Sequence, residues 1–290
     1  MRILLLMKTS LKHLPENKQE ELKYAVEIIL EQVNAEMIIL FGSYARGDWV
    51  EEPAPDGYHY IYRSDFDIFV LVEDKKVAKK VNRWKQIRNI LRREIDTPIE
   101  LLSESIGHFN GCLTNGWYFY SDIKKEGIVL YDSKQYELAE PRQLSIEERR
   151  KIAEEDFEQY FTSASSFFIT FQSVLERGDL KQAAFQLHQS VENFYSAILL
   201  VFTNYKPRTH DIEELGKMSA GQEPEFLKAF PKGTDKEERL FELLRKAYVN
   251  ARYKKDFKIT REELEWLCER VSELKEMAEK ICKKKIESFK

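Results

Sequence analysis

Between residues 16 and 33, Leu22, Val26, Ile29, Leu30 and Val33 recur at helical spacing among charged positions, behind a Pro15 suited to a first helical turn. That pattern predicts an amphipathic helix. The apolar run 37–41 reads as a strand ending at Gly42, and the polar, proline- and aromatic-containing stretch 48–63 reads as an ordered insertion in the form of a hairpin. A second apolar strand is expected over 66–72, a basic helix over 75–95 and a third short strand, opened by Pro98, over 99–102. Residues 107–116, rich in Gly and Asn, read as a loop. After them come a helix over 117–125, a stop at Gly127 and a strand over 128–131.

Beyond Pro141 the alternating patterns vanish. Four long helical patterns follow, roughly 146–177, 179–205, 235–252 and 260–285, with a Pro/Gly-containing connector over 206–233 that carries short helical turns. A chain of 290 residues divided at this point gives two units of ordinary domain size, 1–140 and 141–290. The expected fold class is a small α+β domain followed by an all-α bundle.

Charged residues make up 33% of the chain, yet the formal net charge is only -4, so no general attraction to polyanions is built in. A nucleic-acid partner would need a local basic patch. Cys112, Cys268 and Cys282 are scattered and show no C-x-x-C spacing, which argues against a disulfide framework or zinc site and for a reducing, cytoplasmic setting. The opening 1–7 is apolar but stops at Lys8 with no small-residue cleavage site after it, and reads as a short strand or extended start, with Met7 an alternative initiator. No later run reaches the ~20 apolar residues of a spanning helix, so no membrane is expected.

The most informative stretch is Gly42-Ser43-Tyr44-Ala45-Arg46-Gly47, at the end of a strand and followed on the next strand by Asp65-Phe66-Asp67. A glycine-flanked serine turn offers backbone N–H groups and a hydroxyl to a triphosphate without crowding it. Arg46 either reaches a phosphate or stays solvated. Because strand side chains alternate, Asp65 and Asp67 share one face and repel each other unless a cation intervenes. Hard carboxylate oxygens suit Mg²⁺, and two ions about 3.5–4 Å apart would serve an in-line displacement on an NTP. Glu100, a lone acid in an apolar strand, is the expected third carboxylate, drawing the proton from the acceptor; Asp96, just outside that strand, is the alternative.

These residues resemble the polymerase-beta nucleotidyltransferase superfamily in its minimal (MNT) branch, over roughly residues 20–131. The resemblance implies a palm-like α+β domain in which Gly42 and Ser43 bind the triphosphate, Asp65 and Asp67 hold both Mg²⁺ ions and Glu100 completes the site. It implies transfer of a nucleoside monophosphate from an NTP, with ATP favoured, and release of pyrophosphate. Two departures stand out: a long insert before D-x-D, and Glu rather than Asp as the third acid.

In the second half, His188, Glu192 and Tyr195 fall on one line of a helix, as a ligand site or as hydrogen-bonded groups at the bundle margin. Leu187 to Tyr195, Lys206 to Asp211 and Tyr248 to Tyr253 resemble a HEPN domain, covering most of 145–285. Many HEPN domains are dimeric metal-independent RNases with an R-x(4–6)-H motif, and some are toxins paired with MNT antitoxins. No histidine follows Arg252 here, so that motif is absent. The half is read as a binding module and homodimer interface. Its Arg208, His210, Arg252, Tyr253, Lys254 and Lys255 either hold an anion such as a nucleotide or RNA end or form a solvated basic corner. His13, His59 and His108 show no partners in the sequence. The expected activity is NMP transfer to a small-molecule hydroxyl or a protein tyrosine, Tyr253 included. The competing expectation is an idle nucleotide or RNA sensor in a fused toxin–antitoxin-like system.

Overall fold

The computed structural model describes residues 7–53 and 60–289, with the backbone alone for 52, 53 and 60–62. The expectation for residues 1–6 and the position of His59 lie outside the described residues. The chain forms two compact units, Met1–Gln143 and Leu144–Lys290.

The first unit runs α1 (Glu16–Gln32), β1 (Ala35–Phe41), α2 (Gly42–Arg46), β2 (Glu51–Pro53), β3 (Tyr60–Arg63), β4 (Phe66–Val72), α3 (Lys75–Ala78), α4 (Val81–Glu94), β5 (Ile99–Ser105), α5 (Ile106–Thr114), α6 (Tyr118–Glu126) and β6 (Ile128–Asp132). Its mixed sheet has the order β5-β4-β1-β6. β1 is antiparallel to β4 and β6, while β5 lies parallel to β4. Strand alternation then sorts the side chains. Ile38, Leu40, Phe66, Ile68, Val70, Ile99 and Leu101 join Leu22, Ile29, Trp84, Ile87 and Leu91 in one core under α1 and α4. On the opposite face Phe41 and Phe69 meet Phe109, Phe119 and Tyr120 from α5 and α6, with ring centroids 5.3–6.2 Å apart. The inserted stretch does form a hairpin, β2 against β3.

Three local differences from the sequence pattern have physical causes. The helix expected over 75–95 breaks at Lys79 and Lys80, because the Val77 carbonyl accepts from Lys80 N at 3.1 Å and from Trp84 Nε1 at 3.2 Å and is no longer open to Val81. The glycine-rich loop is the helix α5. Its Ile106, Phe109, Cys112 and Leu113 are buried on one side, and that burial outweighs the cost of Gly107 and Gly111, which face open space. The third strand continues to Ser105, carried past its polar residues by residue-for-residue pairing with β4.

The second unit runs α7 (Ile146–Glu176), α8 (Leu180–Thr203), α9 (Ile212–Gln222), a 3₁₀ turn (Pro224–Lys228), α10 (Asp235–Tyr253) and α11 (Arg261–Ser288). The helix starts are written in the sequence as caps: Ser145 with Glu148 and Thr260 with Glu263 form reciprocal capping boxes, and Asp179, Asp211 and Thr234 each accept a first-turn N–H. α8 lies in the middle, contacted by α7, α9, α10 and α11 and buried around its circumference. The connector carries a three-turn helix, α9, where only short turns were expected. No helix among the described residues is long and apolar enough to cross a membrane.

Candidate active site

The acids sit at one end of the sheet, on the face opposite the α1/α4 core. Asp67 is paired in register with Phe41 on one side and with Glu100 on the other. Directly paired residues project to the same face, so Asp67 and Glu100 are neighbours there. Asp65 lies two residues upstream, on the same alternation. Gly42, which follows Phe41, has φ +72°, and a methyl group built on it would overlap Asp67 Oδ2 and stand 2.8 Å from Asp67 Cγ. The aspartate therefore lies against the backbone of the serine turn itself. That turn is one short helix, α2, closed by Gly47 at φ +91° with its N–H on the Ser43 carbonyl at 2.8 Å.

Burial, with the charge of Asp65 added, pushes the Asp67 carboxyl up to about 7, and Arg46 pulls the other way. Arg46 itself is half-exposed and bonded to the exposed Asp48 at 3.1 Å. Asp96, the alternative third acid, is occupied elsewhere: its carboxylate accepts from Arg63 Nη2 at 2.7 Å and its side chain is mostly exposed. Among the described residues no three His, Cys, Asp or Glu side chains close into a group able to hold an ion unaided. Magnesium rarely uses such a cage; it keeps water and takes one or two carboxylates together with phosphate oxygens. Two hard-oxygen donors whose burial and mutual repulsion already favour a proton on one of them fit that requirement.

In the second unit, Glu192 joins two helices and a loop. His188 is fully buried; its Nδ1–H donates to the Leu244 carbonyl at 3.0 Å, leaving Nε2 at 3.7 Å from Glu192 Oε2. His210 Nδ1–H donates to the Glu192 carboxylate at 3.0 Å, and Gln189 Nε2 donates to Oε2 at 2.9 Å. The His210 ring stacks on Tyr248 at 4.2 Å and 16°. Arg252 Nε donates to the Tyr248 carbonyl at 2.7 Å, and its guanidinium lies over the rings of Tyr248 at 4.4 Å and Phe185 at 4.7 Å.

Residues 23–136 match the family described as Polymerase beta, Nucleotidyltransferase, and residues 157–281 match the HEPN domain. The chain joins a polymerase beta nucleotidyltransferase domain to a HEPN domain. No curated protein matches it. In the nucleotidyltransferase domain, Asp67 lies against Gly42 and beside Glu100 in the strand register, with Asp65 near enough for its charge to act on the Asp67 carboxyl. His13, which showed no partner in the sequence, donates from Nε2 to the Tyr44 carbonyl at 2.7 Å and so braces the serine turn. In the HEPN domain, His188, Glu192, His210 and Arg252 share one cluster, with Tyr253 exposed beside it: its ring lies 5.0 Å from the Arg252 guanidinium. Tyr195 does not join them. It is buried in the bundle core against Gly216, because seven residues carry it about two turns, roughly 10 Å, along α8 from His188. Tyr248 and Phe185 were missed as site residues; the signal was their spacing, i−4 from Arg252 and i−3 from His188.

Burial alone would raise the Glu192 carboxyl, but the nearby His188 and its bond to His210 hold it below the usual range. A depressed carboxylate adds stability above its unfolded pKa and loses it as pH falls. Glu192→Gln is expected to cost about 1–3 kcal/mol at pH 7, with the deficit shrinking below pH ~4. Thermal melts of both proteins across pH 3.5–8 check this; an equal deficit at every pH counts against the charged pair.

Proposed function

We propose that the nucleotidyltransferase domain moves a nucleoside monophosphate from a Mg²⁺-bound NTP, with ATP the favoured substrate, onto a hydroxyl acceptor. The observation that supports this reading above others is Asp67 pressed against Gly42, with Asp65 and Glu100 on the same sheet face. That contact supports a reading in which hard oxygen donors stand beside the serine turn that takes the triphosphate.

In this reading Gly42 and Ser43 bind the β- and γ-phosphates through backbone N–H and hydroxyl groups, and Asp65 and Asp67 hold the metal. Bound there, Mg²⁺ supplies charge neutralisation at the transferring phosphoryl group and the leaving pyrophosphate. Glu100 accepts the proton of the acceptor hydroxyl, a task for which a carboxylate within reach of the attacking oxygen suffices. Arg46, whose exposed pair with Asp48 contributes little, is free to turn to a phosphate. The HEPN domain binds the acceptor or a nucleotide through the His210–Tyr248–Arg252 cluster and supplies a homodimer contact. The protein acts in the cytoplasm.

The test is incubation with α-labelled ATP, Mg²⁺ and two acceptor classes, a polyhydroxylated small molecule and tyrosine-bearing protein, beside an Asp65→Ala/Asp67→Ala variant. Label on an acceptor with the parent protein and none with the variant is the expected result. Metal-dependent ATP binding without transfer to any acceptor would favour a regulatory nucleotide sensor instead, and no binding at all would remove both readings.

A further inference from the structure

The insert between the serine turn and the aspartate strand carries a charge at each end. Glu51 opens β2 and Arg63 closes β3, and the hairpin register sets them opposite each other. Glu51 Oε1 accepts from three donors: Lys18 Nζ at 2.7 Å, Arg63 Nε at 3.1 Å and the Tyr44 hydroxyl at 3.2 Å. Tyr44 belongs to the serine turn, is fully buried, and is held between Trp49, stacked at 5.4 Å, and Phe66 at 4.5 Å. One carboxylate oxygen thus ties the triphosphate turn to the hairpin.

Arg63 spends its other N–H groups in the opposite direction. Nη1 donates to the Asp96 carbonyl at 3.1 Å, and Nη2 donates to Asp96 Oδ2 at 2.7 Å and to Thr97 Oγ1 at 3.3 Å. Buried Lys18 donates to the same Thr97 hydroxyl at 2.7 Å. Along the sequence Arg63 precedes Asp65 by two residues, Thr97 precedes Glu100 by three, and Tyr44 follows Gly42 by two. A single guanidinium therefore sits on the segment that leads to Asp65, bonds directly to the segment that leads to Glu100, and reaches the serine turn through Glu51.

Burying ions in this way is a poor route to stability, since packed apolar side chains usually do as well. What a planar, multidentate guanidinium does supply is fixed geometry. We infer that Arg63 and Glu51 are positioning residues that set the separation between the serine turn, the D-x-D strand and the Glu100 strand. On that account the hairpin insert is a working part of the site. The inference rests on the nucleotidyl-transfer reading above.

The experiment compares Arg63→Lys, Glu51→Gln and Tyr44→Phe with the parent protein, reading kcat, KM for ATP, the Mg²⁺ concentration that half-saturates ATP binding, and melting temperature. Misplacement of the metal-holding strands should lower kcat about 10–100-fold in Arg63→Lys and Glu51→Gln. The Mg²⁺ requirement should rise several-fold and the acceptor KM stay unchanged. Tyr44→Phe keeps the ring and deletes one donor, and should lower kcat about 3–10-fold. Values of kcat and Mg²⁺ requirement within twofold of the parent, even with a lower melting temperature, overturn the inference and leave the network a structural brace. Should Arg63→Lys or Glu51→Gln fail to fold, Tyr44→Phe decides by the same criterion. If the parent binds Mg²⁺ and ATP but transfers nothing, the transfer reading fails, and the Mg²⁺ requirement for ATP binding still decides the positioning role. If it does not bind them, both fall.

Discussion

Asp67→Asn is expected to make the EDTA-treated protein more stable at pH 8 while lowering nucleotidyl transfer about 10³-fold or more. The stability half follows from linkage. The folded carboxyl titrates near 7 because it is buried and close to Asp65, whereas an unfolded aspartate titrates near ~4. Between those values the folded state binds the extra proton, so stability falls as pH rises from about 4 to about 7. The upper bound on this loss is about 4 kcal/mol at 1.36 kcal/mol per unit; residual solvent contact reduces it to about 1–3 kcal/mol. Asparagine is never charged and escapes the loss, which corresponds to a rise of about 3–10 °C in melting temperature at pH 8 and none at pH 4. The activity half follows from removing a metal ligand at the phosphoryl group. Melting curves at both pH values, with and without Mg²⁺ and ATP, check the pair. A variant that is less stable than the parent at pH 8 would show that Asp67 is not held under electrostatic strain.

Gly42→Ala should be damaging for two separable reasons. Its φ of +72° is a left-handed backbone that costs an L-residue about 1–2 kcal/mol. The new methyl also falls on the Asp67 carboxylate, which has to move. A displacement of about 1 Å at a reacting centre is enough for a loss of about 10²-fold in kcat. Gly47→Ala provides the contrast. It carries a similar backbone cost at φ +91°, but its nearest neighbour is His13 Cδ2 at 3.7 Å, so the aspartate is left in place. Equal kcat losses in the two variants would mean that contact with Asp67 is not what Gly42 protects.

The strands and long helices were legible because each hides its apolar residues at one period, and because Ser145, Asp179, Thr234 and Thr260 announce their helices. α5 was not, since glycine content suggests a loop unless one knows that Phe109 and Leu113 have an aromatic sheet face to pack on. At the site, Gly42, Ser43, Asp65 and Asp67 carry a spacing that can be read along the chain. The roles of Lys18, Glu51 and Arg63 cannot be read that way. The partners described above lie 7–79 residues distant, and a lysine or glutamate in an amphipathic stretch looks the same whether it is solvated or buried. His210 illustrates the same limit from the other direction, since its proximity to Arg252 depends on Tyr248 bridging two elements that the sequence separates.

The central position of α8 has a consequence for cutting the chain. A helix with no exposed residue along its length has no outward face turned to water, so removing any of the four helices around it uncovers a buried stripe that nothing else in the domain can conceal. Fragments ending inside 144–290 should therefore aggregate instead of surviving as smaller bundles. The unit is expected to unfold in a single step, and the junction at Gln143 is the natural place to separate the halves for independent study.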